Sequence, residues 1–223
     1  MGPSSRLTTG LNRARDLDPP TLVPGTDAKG TSSMRPTYRV EPAQATDLEH
    51  LPAIERAAVS LFAPGQIPDG LRTDVTPIEE LRAAHDAGLL WVARASTELV
   101  VGFALVDLLA GGPHLEEIDV HPDHGRRGVG RALVEAVLDW AWAAGHRAVT
   151  LTTFRDVAWN APFYQRLGFR VLARSELTAE LDAIVGNERA RGLDPGRRVV
   201  MRCDLRIRQP DHDPSTRRKE GFP

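Results

Sequence analysis

A strand, a glycine-containing loop, a helix and a second strand follow one another in the middle of the chain, and this unit limits the choice of fold more than any other feature. The strand pattern covers 114–122, the helix pattern 128–144 and the second strand pattern 148–154. Strands joined through a helix normally lie parallel in one sheet, with the helix crossing one face in the right-handed sense. The unit therefore predicts an α/β fold with a parallel crossover in its middle.

Further strand and helix patterns flank this unit on both sides. Short apolar or alternating runs mark the strands, and apolar residues at three- and four-residue spacing mark the helices. Thr76 and Pro77 are typical of a helix N-cap and first turn, and a tight Ser96–Thr97 turn predicts an antiparallel hairpin. The predicted strands are 37–42, 89–95, 98–109, 114–122, 148–154, 169–174 and 197–205, and the predicted helices are 45–62, 76–88, 128–144, 159–167 and 176–191. This order predicts a mixed α/β sheet that begins with antiparallel strands.

Both ends of the chain lack these periodic patterns. Residues 1–36 and 206–223 are polar and rich in proline, so we expect disordered tails on either side of one domain at 37–205. With 223 residues and 41% hydrophobic content, the chain can bury one core but hardly two. Whether translation starts at Met1 or Met34 stays open.

Charge and cysteine content exclude several classes of protein. A formal net charge of −2 gives no global attraction to nucleic acid or to an anionic membrane, and we expect neither as a partner. The single cysteine, Cys203, excludes an internal disulfide and a cysteine pair for zinc, and we expect it to be a buried strand residue. No apolar run is long enough to span a bilayer or to serve as a signal peptide. We therefore expect a cytoplasmic protein.

The loop before the central helix contains glycines in the order G-x-x-G-x-G over 125–130. A dinucleotide-binding loop has the order G-x-G-x-x-G, and Leu133 stands where its third glycine would be; a P-loop needs Gly-Lys-Ser or Gly-Lys-Thr, which is absent. The loop nevertheless places small residues and Arg126, Arg127 and Arg131 at a helix N-terminus, where backbone amides and the helix dipole favour an anion. It is either a phosphate site or a plain turn with solvated arginines.

Two segments together resemble a known family. The run Ile118–Pro122 followed by Arg126–Leu133 resembles the central motif of the GNAT superfamily of acetyl-coenzyme A-dependent N-acetyltransferases. The segment Asn160–Phe169 is similar to that family's second motif, an aromatic–tyrosine pair followed by Gly-Phe. The resemblance covers about residues 37–205. It implies a GNAT-like acyl-CoA N-acyltransferase fold, with a mostly antiparallel sheet of about seven strands, splayed middle strands and helices on both faces.

The resemblance also implies how acetyl-CoA binds as a co-substrate. The pantetheine arm would pair with the strand backbone before the loop, the diphosphate would lie on the loop amides, and no metal would be needed. The implied contacts are Ile118, Asp119, Val120, Gly125, Arg126, Arg127, Gly128, Val129, Gly130, Arg131 and Asn160. Two departures matter: Gly125 replaces a common Gln or Arg, and Val157 stands where an Asn is frequent. Asn160 is therefore either a pantetheine contact or the cap of the following helix.

The implied chemistry is direct attack of an amine on the thioester. A base must remove a proton from the ammonium form, and Glu116 or Glu117 is the candidate. Adjacent strand residues point to opposite faces, so one of the two can reach the cleft, unless a bulge changes the alternation. Tyr164 is the implied proton donor to the leaving thiolate; its alternative role is that of a core aromatic beside Phe163 and Phe169.

The acceptor is the least determined part of the sequence. The resemblance implies that the segments 62–76 and 175–196 face the acceptor. The second segment contains Glu176, Glu180, Asp182 and Glu188. A small-molecule amine and a protein amino group both fit, and a homodimer is compatible with the sequence. A non-catalytic acyl-CoA sensor of the same fold is the alternative. His121, Asp123 and His124 are too few and too close together in a loop to predict a metal site.

Overall fold

Seven strands form one sheet in the computed structural model, which describes residues 37–205. The strands are β1 (Tyr38–Pro42), β2 (Leu90–Ala95), β3 (Val100–Leu109), β4 (Gly112–Val120), β5 (Ala148–Phe154), β6 (Arg170–Val171) and β7 (Arg198–Asp204). Their order across the sheet is β1-β2-β3-β4-β5-β7-β6. Only β4 and β5 are parallel neighbours in this part of the chain. This confirms the mixed, mostly antiparallel sheet, while the predicted tails 1–36 and 206–223 lie outside the described residues.

Five helices accompany the sheet in the described range. They are α1 (Leu51–Val59), α2 (Ile78–Asp86), α3 (Val129–Ala143), α4 (Ala161–Arg166) and α5 (Ala179–Ala190). Helix α3 joins the parallel strands and contacts β2, β3 and β4, whereas α1 contacts β3 and β4. A side chain at Gly102 would meet Leu133 of α3 and Val120 of β4, so Val120 faces α3. Glu117 lies three residues earlier and contacts Thr76, next to α2, on the other face.

The amphipathic patterns bury the residues that they predict. Helix α1 buries Leu51, Ile54 and Ala58, and α3 buries Leu133 and Val137 against the sheet. Each fully buried leucine or valine contributes about 1.5–3 kcal/mol relative to an exposed one. A separate cluster under the segment between α1 and α2 contains Val59, Phe62, Ile67, Leu71, Phe154, Val157 and Leu193. The segment predicted to face the acceptor is therefore held in place by its own apolar contacts.

Several predicted boundaries are wrong in ways that have a local cause. The helix predicted at 45–62 begins at Leu51, after a separate 3-10 turn at Ala45–Asp47. The helix predicted at 176–191 begins at Ala179, because the Thr178 hydroxyl accepts the Leu181 N–H at 3.3 Å and caps it there. The strand predicted at 169–174 is only two residues long, since β6 pairs with β7 at two positions on the sheet edge.

Thr76 does not cap α2, contrary to the prediction. The helix begins at Ile78 behind Pro77, and no side-chain cap bond is made. Instead the Thr76 hydroxyl donates to Glu117 Oε2 at 2.7 Å. A buried carboxylate is a stronger acceptor than a neutral oxygen, so this tertiary bond outcompetes the local role that the sequence suggests.

Two smaller expectations concern the burial of Cys203 and the absence of a membrane span. Cys203 lies buried in β7, which confirms its prediction as a buried strand residue. Across residues 37–205, no helix is both long and apolar enough to cross a membrane.

Candidate active site

The parallel strands β4 and β5 pair only at their beginning. The paired positions are His114 with Thr150 and Leu115 with Leu151. Beyond Leu115, β4 continues to Val120 and, among the described strands, pairs there with β3 alone. The two strands therefore separate toward their carboxyl ends, which opens the sheet in its middle as the family resemblance implied.

A bulge in β4 lies at the start of this opening. Leu105 of β3 pairs with Glu117 and the next residue, Val106, pairs with Leu115, so Glu116 is an extra residue in the strand. The simple alternation that would separate Glu116 from Glu117 is thus interrupted here. Glu116 is half-buried, whereas Glu117 is 1% exposed and bonded to Thr76.

Three buried carboxylates gather on the face of β4 that contacts Thr76. Glu55 of α1, Glu117 and Asp119 each place one carboxylate oxygen within 4.8 Å of the others. Glu55 Oε2 accepts the backbone N–H of Thr76 at 2.8 Å. Oxygens at this spacing suit a divalent cation, an ammonium group or a shared proton.

Tyr164 of α4 reaches the same region. Its side chain is 0% exposed, packs edge-to-face on Phe163 and Phe169, and its hydroxyl has no hydrogen-bond partner among the described residues. Burial, together with the negative charge of Asp119, raises the pKa of Tyr164 well above its ordinary value. The phenol therefore stays protonated at physiological pH and can donate.

The glycine loop turns sharply into α3. Gly128 is the N-cap residue with φ of 84°, a left-handed conformation, and a side chain there would meet no neighbour. Glycine is thus favoured by backbone conformation and not by lack of space. The helical ladder begins with Ala132 N–H donating to the Gly128 carbonyl at 2.9 Å. The Val129 and Gly130 amides lie in the first turn, where the helix itself offers no carbonyl to accept them.

The loop arginines lie at the surface around this turn. Arg126, Arg127 and Arg131 are exposed, and Arg131 also contacts Glu135 at 3.0 Å. Arg127 lies 3.4 Å from the Tyr38 hydroxyl. The Gly125 N–H already donates to the Pro122 carbonyl at 3.1 Å, so this amide belongs to the turn itself.

Asn160 is the N-cap residue of α4, but its side chain makes no cap hydrogen bond. It is 0% exposed. Its carbonyl accepts the N–H groups of Phe163 and Tyr164, at 2.9 and 3.1 Å. Capping by the side chain, one of the two alternatives drawn from the sequence, is therefore not observed.

Two carboxylates of the second predicted acceptor segment, Glu176 and Glu188, have other partners. Glu188 is buried in an ion pair with Arg198, and it also accepts from the Thr152 hydroxyl at 2.6 Å. Glu176 contacts Arg170 at 2.8 Å, and its pKa is lowered by the Ala173 backbone amide and by that arginine. Neither carboxylate is placed to receive an amine directly.

Sequence reasoning missed two members of the carboxylate cluster. Glu55 sits on the buried side of α1, next to Ile54 and four residues from both Leu51 and Val59. A charged residue within an apolar stripe is the signal that could have identified it. The family resemblance assigns Asp119 only a backbone contact, although in an alternating strand its side chain shares a face with Glu117.

Comparisons with known proteins agree with this geometry. The sequence profile of the Acetyltransferase (GNAT) family matches residues 56–169. The chain therefore belongs to the GNAT family of acetyltransferases.

Individual relatives match only part of this chain. Peptidyl-lysine N-acetyltransferase YjaB of Escherichia coli is 33% identical over 103 residues, which is 46% of this chain and 64% of that protein. The chain spans less than two thirds of the length of the curated relatives it matches.

Solved structures show the same fold at low identity. PaiA N-acetyltransferase of Thermoplasma acidophilum, in complex with coenzyme A, has a TM-score of 0.57 at 16% identity and covers 75% of this chain and 99% of its own. YncA of Salmonella typhimurium, a putative acetyltransferase solved with acetyl-CoA, has a TM-score of 0.54 at 18% identity, covering 79% and 98%.

Proposed function

We propose that the chain transfers the acetyl group of acetyl-CoA to a primary amine by direct attack in a ternary complex. The observation that supports this most is the limited pairing of β4 with β5. It leaves the backbone of Ile118, Asp119 and Val120 beside an opening in the sheet, where an extended pantetheine arm can add in the manner of a strand. Asn160, buried at the start of α4, is proposed as a further pantetheine contact.

The diphosphate of acetyl-CoA is proposed to lie on the amides of the loop from Arg126 to Arg131. Helix α3 begins there, so its dipole and first-turn amides favour an anion. The side chains of Arg126 and Arg127 are exposed and can approach the phosphates. Gly125 is proposed to shape the turn, because its own N–H donates to the Pro122 carbonyl.

Glu117 is proposed as the general base and Tyr164 as the general acid. An alkylammonium group with a pKa of about 10.4 is neutral in roughly one molecule per thousand at pH 7, so a base is required. Glu117 contacts Thr76 on the acceptor side of β4, which favours it over the half-buried Glu116. Glu117 takes one proton from the ammonium group, the amine nitrogen bonds to the thioester carbon, and the carbon–sulfur bond breaks. Tyr164 gives its proton to the leaving thiolate, and the second proton lost by the nitrogen replaces it on Tyr164.

The side chain of a protein lysine is the proposed acceptor class. The relative from Escherichia coli is named a peptidyl-lysine N-acetyltransferase and is 33% identical over the matched segment. The buried carboxylates Glu55, Glu117 and Asp119 also favour a cationic amine over a neutral or acidic acceptor.

A thiol-release screen with acetyl-CoA tests this function. The panel contains Nα-acetyl-lysine amide, lysine-containing peptides, free amino acids, polyamines and aminoglycosides, with and without EDTA. Release of CoA thiol with the lysine compounds, unchanged by EDTA, is the expected result. Tight CoA binding without turnover of any amine would favour the acyl-CoA sensor.

Nucleic acid also carries phosphates and is the alternative ligand for the glycine loop. Acetyl-CoA and an oligonucleotide are titrated at two salt concentrations. Binding of acetyl-CoA with a shallow salt dependence is expected, whereas tight oligonucleotide binding with a steep dependence would contradict the proposal.

A further inference from the structure

Thr76 connects two buried carboxylates that belong to different elements. Its hydroxyl donates to Glu117 Oε2 of β4 at 2.7 Å, and its backbone N–H donates to Glu55 Oε2 of α1 at 2.8 Å. Thr76 itself is 1% exposed and lies at the end of the segment between α1 and α2. The three residues form a continuous chain of hydrogen bonds from the first helix to the centre of the sheet.

We infer that Thr76 is a positioning residue that orients the Glu117 carboxylate toward the acceptor amine, and that Glu55 holds Thr76 in place. This inference rests on the proposed function, because the orientation of Glu117 matters to chemistry only if it accepts the amine proton. Rotation of the carboxylate away from its present position would break the bond to the Thr76 hydroxyl inside a buried site. Since Thr76 ends the segment that faces the acceptor, it also connects the acceptor side to the base.

Two opposing influences act on the charge of Glu117. A hydrogen bond from a hydroxyl favours the ionised carboxylate, whereas neighbouring negative charges disfavour it. The carboxylates beside Glu117 are Glu55 from α1 and Asp119 from the same strand, and Asp119 in turn acts on Tyr164 of α4. Arg198 of β7 acts on Tyr164 as well. Removing the Thr76 hydroxyl and removing the Glu55 charge should therefore move the titration of Glu117 in opposite directions.

Carbon-13 NMR titration of the Glu117 side-chain carboxyl in the full chain measures this directly. Thr76→Val should raise the pKa of Glu117 by about one pH unit, because the ionised form loses its donor. Thr76→Ser retains the hydroxyl and should restore the wild-type value. Glu55→Gln can still accept the Thr76 N–H but removes a like charge, so the pKa of Glu117 should fall. Equal titration in the wild type, Thr76→Val and Glu55→Gln would overturn the inference.

Kinetics with Nα-acetyl-lysine amide give a second readout. Thr76→Val should lower kcat roughly tenfold and move the acidic limb of the kcat/KM profile upward, with the KM for acetyl-CoA within about twofold of wild type. Thr97→Val, in the exposed turn between β2 and β3, and Glu49→Gln, on the surface before α1, are the matched controls and should behave as wild type. A purely structural Thr76 would instead lower thermal stability without moving the acidic limb. If Thr76→Val does not fold, Thr76→Ala, which also lacks the hydroxyl, replaces it in both measurements.

The two proposals fail in distinguishable ways. Full activity in Glu117→Gln would contradict the proposed base, whatever Thr76 does. Loss of activity in Glu117→Gln together with wild-type kinetics and titration in Thr76→Val would overturn only the positioning role.

Discussion

The Tyr164 hydroxyl is a buried polar group that the rest of the described chain does not satisfy. A buried polar group without a hydrogen bond lowers the stability of the fold by about 1–3 kcal/mol, so its presence calls for an explanation such as a catalytic role. Tyr164→Phe removes the hydroxyl and leaves the ring contacts with Phe163 and Phe169. We expect kcat to fall by about two orders of magnitude, more than the KM for acetyl-CoA rises, because proton donation is lost.

The same substitution should not weaken the fold. Thermal unfolding of Tyr164→Phe should show equal or greater stability, by up to about 1 kcal/mol, since an unsatisfied group is removed. Unchanged kcat would exclude Tyr164 from the mechanism and leave it as a core aromatic residue. Phe163→Leu, beside it on α4, serves as a control for altered packing with an intact hydroxyl.

Individual side-chain roles were the hardest to predict from the sequence. Thr76 has the local signature of a helix cap, yet its partner Glu117 lies 41 residues away. Glu116 and Glu117 look equivalent in the sequence because a bulge leaves no signature there that distinguishes them. Both cases depend on tertiary contacts that compete with local preferences.

For whole strands and helices, the pattern of apolar residues predicted the structure more successfully than the sequence predicted single side-chain roles. The strand predicted at 148–154 has those bounds in the structure, because every residue from Ala148 to Phe154 pairs with β7. The edge strand β6 is shorter than predicted, since only two of its residues find partners. The order of the elements and the position of the glycine loop followed from the sequence, while the extent of the opening between β4 and β5 required the structure.

The opening between β4 and β5 makes a prediction for hydrogen exchange. If the pantetheine arm adds to β4, backbone amides in 116–120 and in the loop 126–131 should exchange about tenfold more slowly when acetyl-CoA is present. Strand β2 has neighbours on both sides already and should be unaffected. Protection confined to the loop would show that β4 does not bind the arm.

Helix α5 is held to the sheet by a buried ion pair, and this pair should govern its stability. Glu188 contacts Arg198 and Thr152, with Arg198 also lying over the Phe154 ring at 4.7 Å. Glu188→Gln leaves the Arg198 charge buried without its counter-charge, which should cost about 3–5 kcal/mol in the free energy of unfolding. Asp182→Asn, an exposed change on the same helix, should cost less than about 1 kcal/mol. Equal denaturation midpoints for the two variants would contradict this role.

For the molecule as a whole, β4 and β5 join the two halves of the sheet at only two paired positions. His114 is one of them, and its Nδ1 lies 2.9 Å from the Thr150 hydroxyl. Burial lowers the pKa of His114 to about 4. The neutral imidazole therefore belongs to the short paired segment that connects the two halves of the sheet. The stability of the whole fold should for this reason be sensitive to acid.

The direction of this dependence follows from proton uptake. Below about pH 6.5 the unfolded chain protonates His114, while the folded protein does not until about pH 4, so acid favours unfolding across this window. The loss from His114 should approach 3 kcal/mol at the lower end. His124, whose pKa partial burial also lowers, adds a loss of the same sign. Denaturant unfolding of the wild type and of His114→Gln between pH 7 and 4.5 isolates the His114 contribution as the difference between their slopes. Parallel curves of unfolding free energy against pH would show that His114 is protonated equally in the folded and unfolded states. The pairing of β4 with β5 would then not be the source of acid sensitivity.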